Sequence, residues 1–324
     1  MKNLLSIEDL SRPAIEHLFA EAVSMKKNRG SRGPRPLEGQ VWALIFSKSS
    51  TRTRVSFEVG IRELGGDVMF LNAGDLQLGR GEPIKDTARV LGRMVHGAVI
   101  RTFAQRDVEE FARYSGIPTL NALTDDEHPC QILADIFTYE EKRGPIQGRV
   151  VTFLGDGACN VTNSWILAAA KLEFDLRVAA PGKFWPRPEV LKRATRIAGS
   201  EWKGLPAGSS GGACTVPLGK GRKIVLTESP QEAASGADML YTDVWVSMGK
   251  EAEATDRLAA LAPYQVNRSL VKLAKPDALL MHCLPAYRGK EIDEETFESN
   301  AGTIFEQAEN RLHVQKAILK WAVS

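Results

Sequence analysis

Short apolar runs alternate with amphipathic stretches along most of this chain. Val41–Phe46 (VWALIF), Asp67–Leu71 (DVMFL), Ala98–Arg101 (AVIR) and Ile117–Asn121 (IPTLN) read as short strands. The second half repeats the pattern at Val150–Leu154, Leu176–Ala180, Lys223–Thr227, Met239–Thr242 and Leu279–Met281. Helical spacing falls between them: Leu10–Met25, a helix from near Ser50 with Val55, Phe57, Val59, Ile61 and Leu64 in its apolar pattern, Ile84–Met94, the run opening at His128, Trp165–Leu172, Glu189–Ile197 and Pro230–Ser235. AENRLHVQKAILKWAV reads as a closing helix with Arg311 near its start. Such alternation predicts an α/β protein built from β-α units. The Gly- and Pro-containing stretch Glu141–Arg149 marks a domain boundary, and Glu201–Lys223, rich in Gly, Ser, Pro and Lys, predicts an exposed insertion.

Polar residues gather where predicted strands end. In FSKSSTRTRVSF, residues 46–57, hydroxyls and guanidiniums occupy a strand-to-helix turn. A helix starting near Ser50 offers unpaired N–H groups and its positive dipole end, to which Arg52 and Arg54 add charge; this is a candidate phosphate cradle. The simpler alternative is a helix cap with solvated arginines. Arg101 ends an apolar run at the edge where open α/β sheets hold ligands. His128 and Gln131 share a helix face if Pro129 lies in the first turn, and could hold a carbonyl and an amino group, or simply cap and pack. The loop carrying Gln77, Arg80 and Glu82 reads as solvent-exposed. Asp243 and Ser247, with the Met248 N–H, can address an amino group and a carboxylate, or serve as a turn and a cap. Cys283 and the Leu284 carbonyl lie at another strand end, although a lone cysteine is most often a packing residue. GDGACN after the strand 150–154 invites a nicotinamide-dependent oxidoreductase reading, but lacks the full GxGxxG spacing.

Composition narrows these options. A chain of 324 residues, 43% of them hydrophobic, can fill two domains or one large α/β unit. Its 42 basic and 40 acidic residues leave no global footprint for nucleic acid. Four cysteines without a CxxC pair argue against a zinc ribbon or disulfide scaffold and suit a reducing cytoplasm. The opening residues carry early acids rather than a signal core, and no apolar run is long enough to span a bilayer, so an unexported, membrane-free protein is expected.

Taken together, SSTRTR, LQLGRGE with DTARVL, IRTF, HPCQILAD, DVWVSMG, HCLPA and AENR resemble the aspartate/ornithine carbamoyltransferase family over nearly the whole chain. STRT with HPCQ marks carbamoyl phosphate handling, and DVWVSMG with HCLP points to ornithine rather than aspartate. The resemblance implies two domains, each a parallel β-sheet flanked by helices. Residues 1–143 would bind carbamoyl phosphate, completed by a C-terminal helix at about 310–324 that packs back on them, and residues 144–309 would bind ornithine. It further implies a homotrimer or multiple of trimers with sites at subunit interfaces, transfer of the carbamoyl group to the δ-amine of L-ornithine giving citrulline in arginine metabolism, and no metal or organic cofactor.

Residue by residue, the resemblance assigns Ser50, Thr51, Arg52 and Thr53 to the phosphate, and Arg101 to phosphate and carbonyl oxygen. His128 would polarise the carbonyl with Thr53 and Arg101, while Gln131 and the Leu284 carbonyl would bind the carbamoyl nitrogen. Asn160, Asp243, Ser247 and Met248 would hold the α-amino and α-carboxylate groups of ornithine. Cys283 would lie beside the attacking amine, Arg311 would close onto the carbamoyl group, and Gln77 would reach a neighbouring subunit's phosphate site. Cys159, the pair Asp126 and Glu127, and Tyr287 depart from common family choices. Transfer to another amine, such as putrescine or an N-acylornithine, is the near alternative.

Overall fold

The computed structural model describes residues 2–31, 33–72, 74, 81–204 and 212–324. Gln77 and Arg80 lie outside the described residues. The chain divides into two compact units, Met1–Phe137 with Glu309–Ser324, and Thr138–Ala308.

In the first unit, β-branched and aromatic runs form β1 (Val41–Phe46), β2 (Asp67–Asn72), β3 (Gly97–Arg101) and β4 (Thr119–Leu123). They pair in parallel in the order β2-β1-β3-β4. Helices α1 (Arg12–Lys27), α2 (Thr51–Glu63), α3 (Ile84–Leu91) and α4 (Gln105–Ser115) accompany them, and α5 (Pro129–Arg143) follows β4. Ala43, Ile45, Ala98 and Ile100 pack against Ala88, Val108 and Phe111. Two expectations shift here. Val55 is exposed rather than apolar-facing, and β4 runs on to Leu123, past the expected end at Asn121, because Thr102 continues the ladder by donating its N–H to the Leu123 carbonyl at 3.0 Å.

The second unit holds β5 (Val150–Leu154), β6 (Asp175–Ala179), β7 (Cys214–Pro217), β8 (Lys223–Thr227), β9 (Met239–Thr242) and β10 (Leu279–His282). Their order is β10-β9-β5-β6-β8-β7, all parallel except the edge strand β7. Its helices are α6 (Asn160–Leu172), α7 (Pro188–Ile197), α8 (Pro230–Ala234), α9 (Ala254–Leu261), α10 (Arg268–Val271) and the start of α11 (Glu294–Val323). Part of the expected insertion is therefore a strand: Cys214 to Pro217 pair with β8, and Cys214 and Val216 turn inward.

Two helices begin earlier than their apolar spacing predicts. Helix α6 starts at Asn160, not Trp165, because residues 161–170 are all buried and burial outweighs the weak propensity of Val, Thr, Asn and Ser. Helix α11 starts at Glu294, so Arg311 lies within it and not near its start. The polar residues ahead of AENR fit the helix because Ser299 Oγ donates to the Glu295 carbonyl at 2.7 Å and Asn300 Nδ2 to the Thr296 carbonyl at 2.8 Å.

The last part of α11 packs back on the first unit. A Cβ at Gly60 would lie 3.2 Å from the Lys316 side chain, so α2 and α11 touch closely there. Lys316 Nζ then reaches Glu63 at 2.6 Å, and Lys2 N–H donates to the Ala322 carbonyl at 3.1 Å. No helix among the described residues is long and apolar enough to cross a membrane.

Candidate active site

In the first unit the strand order reverses at β1, with β2 on one side and β3 on the other. A reversal of this kind opens a crevice at the carboxyl ends of the strands. The polar stretch after β1 leads there, and β3 ends on Arg101. Ser47 N–H donates to the Arg101 carbonyl at 2.8 Å, fastening the two strand ends together.

Ser50 is the N-cap of α2, its Oγ accepting from Thr53 N–H at 3.2 Å. The capping alternative therefore holds for Ser50, but the bond uses the hydroxyl only as acceptor and leaves its proton for a ligand. Thr51 is exposed and Arg52 half-buried at the first turn. Arg54 is committed elsewhere: its guanidinium lies 3.8 Å from the Phe70 ring centroid and pairs with Glu58 at 3.6 Å. The fixed charge of a cradle here would thus rest on Arg52 and on residues from other elements.

Those residues are buried. Arg311, on α11, donates from Nη2 to Thr53 Oγ1 at 2.7 Å. His128, just before α5, is held neutral, its pKa well below the ordinary histidine value because of burial first and the Arg311 and Arg101 charges second. Two guanidiniums, a hydroxyl and a neutral imidazole thus gather where an anion with a polarised carbonyl would be stabilised. Gln131 follows on the same helix, and its Nε2 donates to Asp135 Oδ1 at 2.9 Å.

The neutrality of His128 has a consequence for stability. Below pH 6.5 the unfolded chain takes up a proton that the folded chain refuses, so this residue makes stability fall as pH drops through that window. The slope is at most about 1.4 kcal/mol per pH unit for one proton. Urea unfolding of wild type and His128→Asn at pH 7.5, 6.0 and 5.0 should show the variant losing less stability toward acid. Equal losses would mean that His128 is not buried neutral.

Sequence reasoning missed two supports. Lys48 is buried, pairs with Asp125 and lies 4.3 Å from the Phe103 ring centroid, linking the loops after β1, β3 and β4. Buried Glu127, unusual before HPCQ, accepts from Ser6 Oγ at 2.7 Å and Ile7 N–H at 3.0 Å, anchoring the segment that carries His128. A lysine beside two serines and an acid beside a histidine were the signals. Nothing in the sequence indicated that either would be buried.

The second unit reverses its order at β5, between β6 and β9. Asn160 lies at the start of α6 after β5, Asp243 follows β9, and Cys283 and Leu284 follow β10. Asp243 is buried and accepts from Cys283 Sγ at 2.8 Å and Val244 N–H at 2.7 Å. Burial pushes its pKa up, against the lowering effect of His282, the thiol and the Val244 N–H. Ser247 is half-buried and Met248 exposed. Leu284 takes a positive φ of 60° and donates its N–H to His282 Nδ1 at 2.8 Å. His282 Nε2 bonds Glu291 at 3.1 Å.

Ligand atoms of Asp243, His282 and Cys283 lie within 4.8 Å of one another. Both His282 nitrogens are hydrogen-bonded and the thiol donates to Asp243, so these groups form a hydrogen-bonded network rather than an open ligand set. The glycines of GDGACN have packing reasons. A Cβ at Gly155, where φ is 126°, would sit 3.2 Å from the Trp245 indole nitrogen, and one at Gly157 would sit 2.7 Å from the Phe184 carbonyl. These contacts explain the turn without a dinucleotide.

The two reversals define the class: an α/β protein of two doubly wound units, one arranged around buried cations and the other around a buried carboxylate. Residues 2–141 match the family description "Aspartate/ornithine carbamoyltransferase, carbamoyl-P binding domain", and residues 147–205 and 216–322 match "Asp/Orn binding domain". The chain belongs to the aspartate/ornithine carbamoyltransferase family. It is 51% identical to an ornithine carbamoyltransferase of Akkermansia muciniphila, over 98% of this chain and 97% of that relative. Among solved structures it is similar to the anabolic ornithine carbamoyltransferase of Campylobacter jejuni, with TM-score 0.88, 40% identity and 99% of each chain covered. The Pyrococcus furiosus ornithine carbamoyltransferase gives TM-score 0.86 and 43% identity, covering 98% of this chain and 96% of that one.

Proposed function

We propose that this protein transfers the carbamoyl group of carbamoyl phosphate to the δ-amine of L-ornithine, giving L-citrulline and phosphate. The observation that carries the reading is the gathering of Arg101, Arg311 and Thr53 around a neutral His128 beside the start of α2. Carbamoyl transfer asks for a held leaving phosphate and a stabilised oxyanion. Ser50, Thr51, Arg52 and Thr53 hold the phosphate, Arg101 spans phosphate and carbonyl oxygen, and His128 and Thr53 polarise that carbonyl. Gln131 and the Leu284 carbonyl accept from the carbamoyl NH₂, and Arg311 acts on the carbamoyl group.

On the acceptor side, Asp243 binds the α-amino group of ornithine, with Asn160, Ser247 and Met248 holding its α-amino and α-carboxylate groups, and Cys283 lies beside the δ-amine. The amine attacks in its neutral form, and positioning the two reactants supplies much of the rate. The relatives named as ornithine carbamoyltransferases support ornithine over other amines. The family likeness also supports residues 1–143 and 144–309 as the carbamoyl-phosphate and ornithine domains, and a homotrimer or multiple of trimers in which Gln77 reaches a neighbour's phosphate site. Sedimentation of the purified protein at a monomer mass would remove the assembly proposal. Four cysteines with no disulfide among them support a reducing, cytoplasmic location.

Purified protein given carbamoyl phosphate with ornithine, putrescine or N-acetylornithine should form citrulline from the first pair far faster than product from the others. No citrulline would end the proposal. Arg52→Ala should raise KM for carbamoyl phosphate by roughly 10- to 100-fold, the worth of a charge-assisted contact, while the thermal midpoint stays nearly unchanged. Equal loss of binding and stability would show Arg52 to be structural.

A further inference from the structure

We infer that Asp135 sets the polarity of the carbamoyl pocket by locking the direction of the Gln131 amide. This rests on the proposed binding of carbamoyl phosphate by the first unit. Gln131 and Asp135 lie four apart on α5, one turn from each other on the same face, and both are fully buried. An amide side chain carries a donor end and an acceptor end of nearly the same shape, and its neighbours decide which end faces a ligand. Here the neighbour is a carboxylate. In its ionised form it only accepts, so the Nε2 end of Gln131 turns to it, at 2.9 Å.

The opposite end is thereby fixed as an acceptor. Gln131 Oε1 is buried and has no hydrogen-bond partner among the described residues. A buried acceptor left unmade is costly, so the pocket favours a ligand that brings an N–H to it. The carbamoyl NH₂ does so, whereas the methyl group of acetyl phosphate, close to NH₂ in size, does not. Asp135 is in this sense a positioning residue: it touches Gln131, and its effect on the ligand passes through that amide. A polar site built this way rejects an analogue lacking the hydrogen-bonding group more strongly than an apolar pocket rejects a change of size.

Asp135→Asn keeps the shape but can offer either end of its own amide, so Gln131 is released to turn. Calorimetric titration of the full-length protein with carbamoyl phosphate, acetyl phosphate and inorganic phosphate reads the outcome. The variant should bind carbamoyl phosphate roughly 10-fold more weakly and the other two within about 3-fold of wild type, shrinking the preference for carbamoyl over acetyl phosphate. In a Gln131→Met background the same substitution should leave that preference unchanged, because the group it acts through is gone. Equal weakening of all three ligands, an unaltered preference in Asp135→Asn, or an additive effect in the double variant would overturn the inference.

Wild type gives an independent check if the variant does not fold. The Gln131 side-chain NH₂ resonance, assigned by its loss in Gln131→Met, should be protected from hydrogen exchange with and without carbamoyl phosphate. Fast exchange in the free protein would overturn the lock. A wild type that bound acetyl phosphate as well as carbamoyl phosphate would also overturn the inference, whereas one that bound no carbamoyl phosphate and formed no citrulline would overturn the functional reading on which it rests.

Discussion

Replacing Arg101 by glutamine should lower kcat by roughly 10²- to 10³-fold, the usual effect of removing a donor from an oxyanion site, without destabilising the fold. Arg101 ends β3 at the strand-order reversal, is buried, and acts with Arg311 on the imidazole of His128. Two guanidiniums around one neutral histidine form a cluster of like charge whose benefit is realised when an anion arrives. Removing one eases repulsion in the free protein while depriving the transition state of its charge. Stopped-flow or steady-state assay with thermal unfolding separates the two effects. The thermal midpoint should stay or rise as activity falls. A variant that kept more than a tenth of the wild-type kcat would exclude Arg101 from the reaction, and one that lost both activity and several degrees would make it a structural residue.

Asp243→Asn should raise KM for ornithine by about 100-fold or more, because a neutral amide would replace the buried carboxylate proposed to pair with the α-ammonium. KM for carbamoyl phosphate should change little. The stability effect has the opposite sign. Burial raises the Asp243 pKa in the folded protein above its ordinary value, so the folded state binds this proton more tightly than the unfolded state. Its contribution to stability is greatest in acid and declines as pH rises from the ordinary carboxylate value toward the raised one. At neutral pH an asparagine, which carries no charge to bury, should therefore make the protein more stable than wild type. Urea unfolding at pH 7.5, beside ornithine saturation curves, checks both halves. Loss of stability together with unaltered ornithine dependence would show that Asp243 serves the fold, through its bonds to Cys283 and Val244.

Such opposed effects on activity and stability mark groups held in place against their own burial cost. Lys48 is buried against Asp125, and Glu127 against the Ser6 hydroxyl and the Ile7 N–H. Their placement stiffens the loops that present Arg101 and His128.

What depends on neighbours along the chain was legible in the amino-acid sequence. Strands such as Val41–Phe46 and Val150–Leu154 were readable to the residue, since a short apolar run between turn residues has few other solutions. The turn proposed as a cradle was readable as a turn because Ser50, Thr51, Arg52 and Thr53 are contiguous between an apolar run and an amphipathic one. Helices α6 and α11 were read too short, because burial and back-bonding hydroxyl and amide side chains, rather than propensity, carry their first turns. Which charges meet depends instead on the folded chain. Arg311 reaches Thr53 across 258 positions, Cys283 reaches Asp243 across 40, and Arg54, one residue from the cradle, turns instead to Phe70. Strand order also belongs to that level, and the reversals at β1 and β5 are what bring separate strand ends to common crevices. Periodicity and capping act within a few residues, whereas burial and the direction of a charged side chain depend on surfaces assembled from distant parts of the chain.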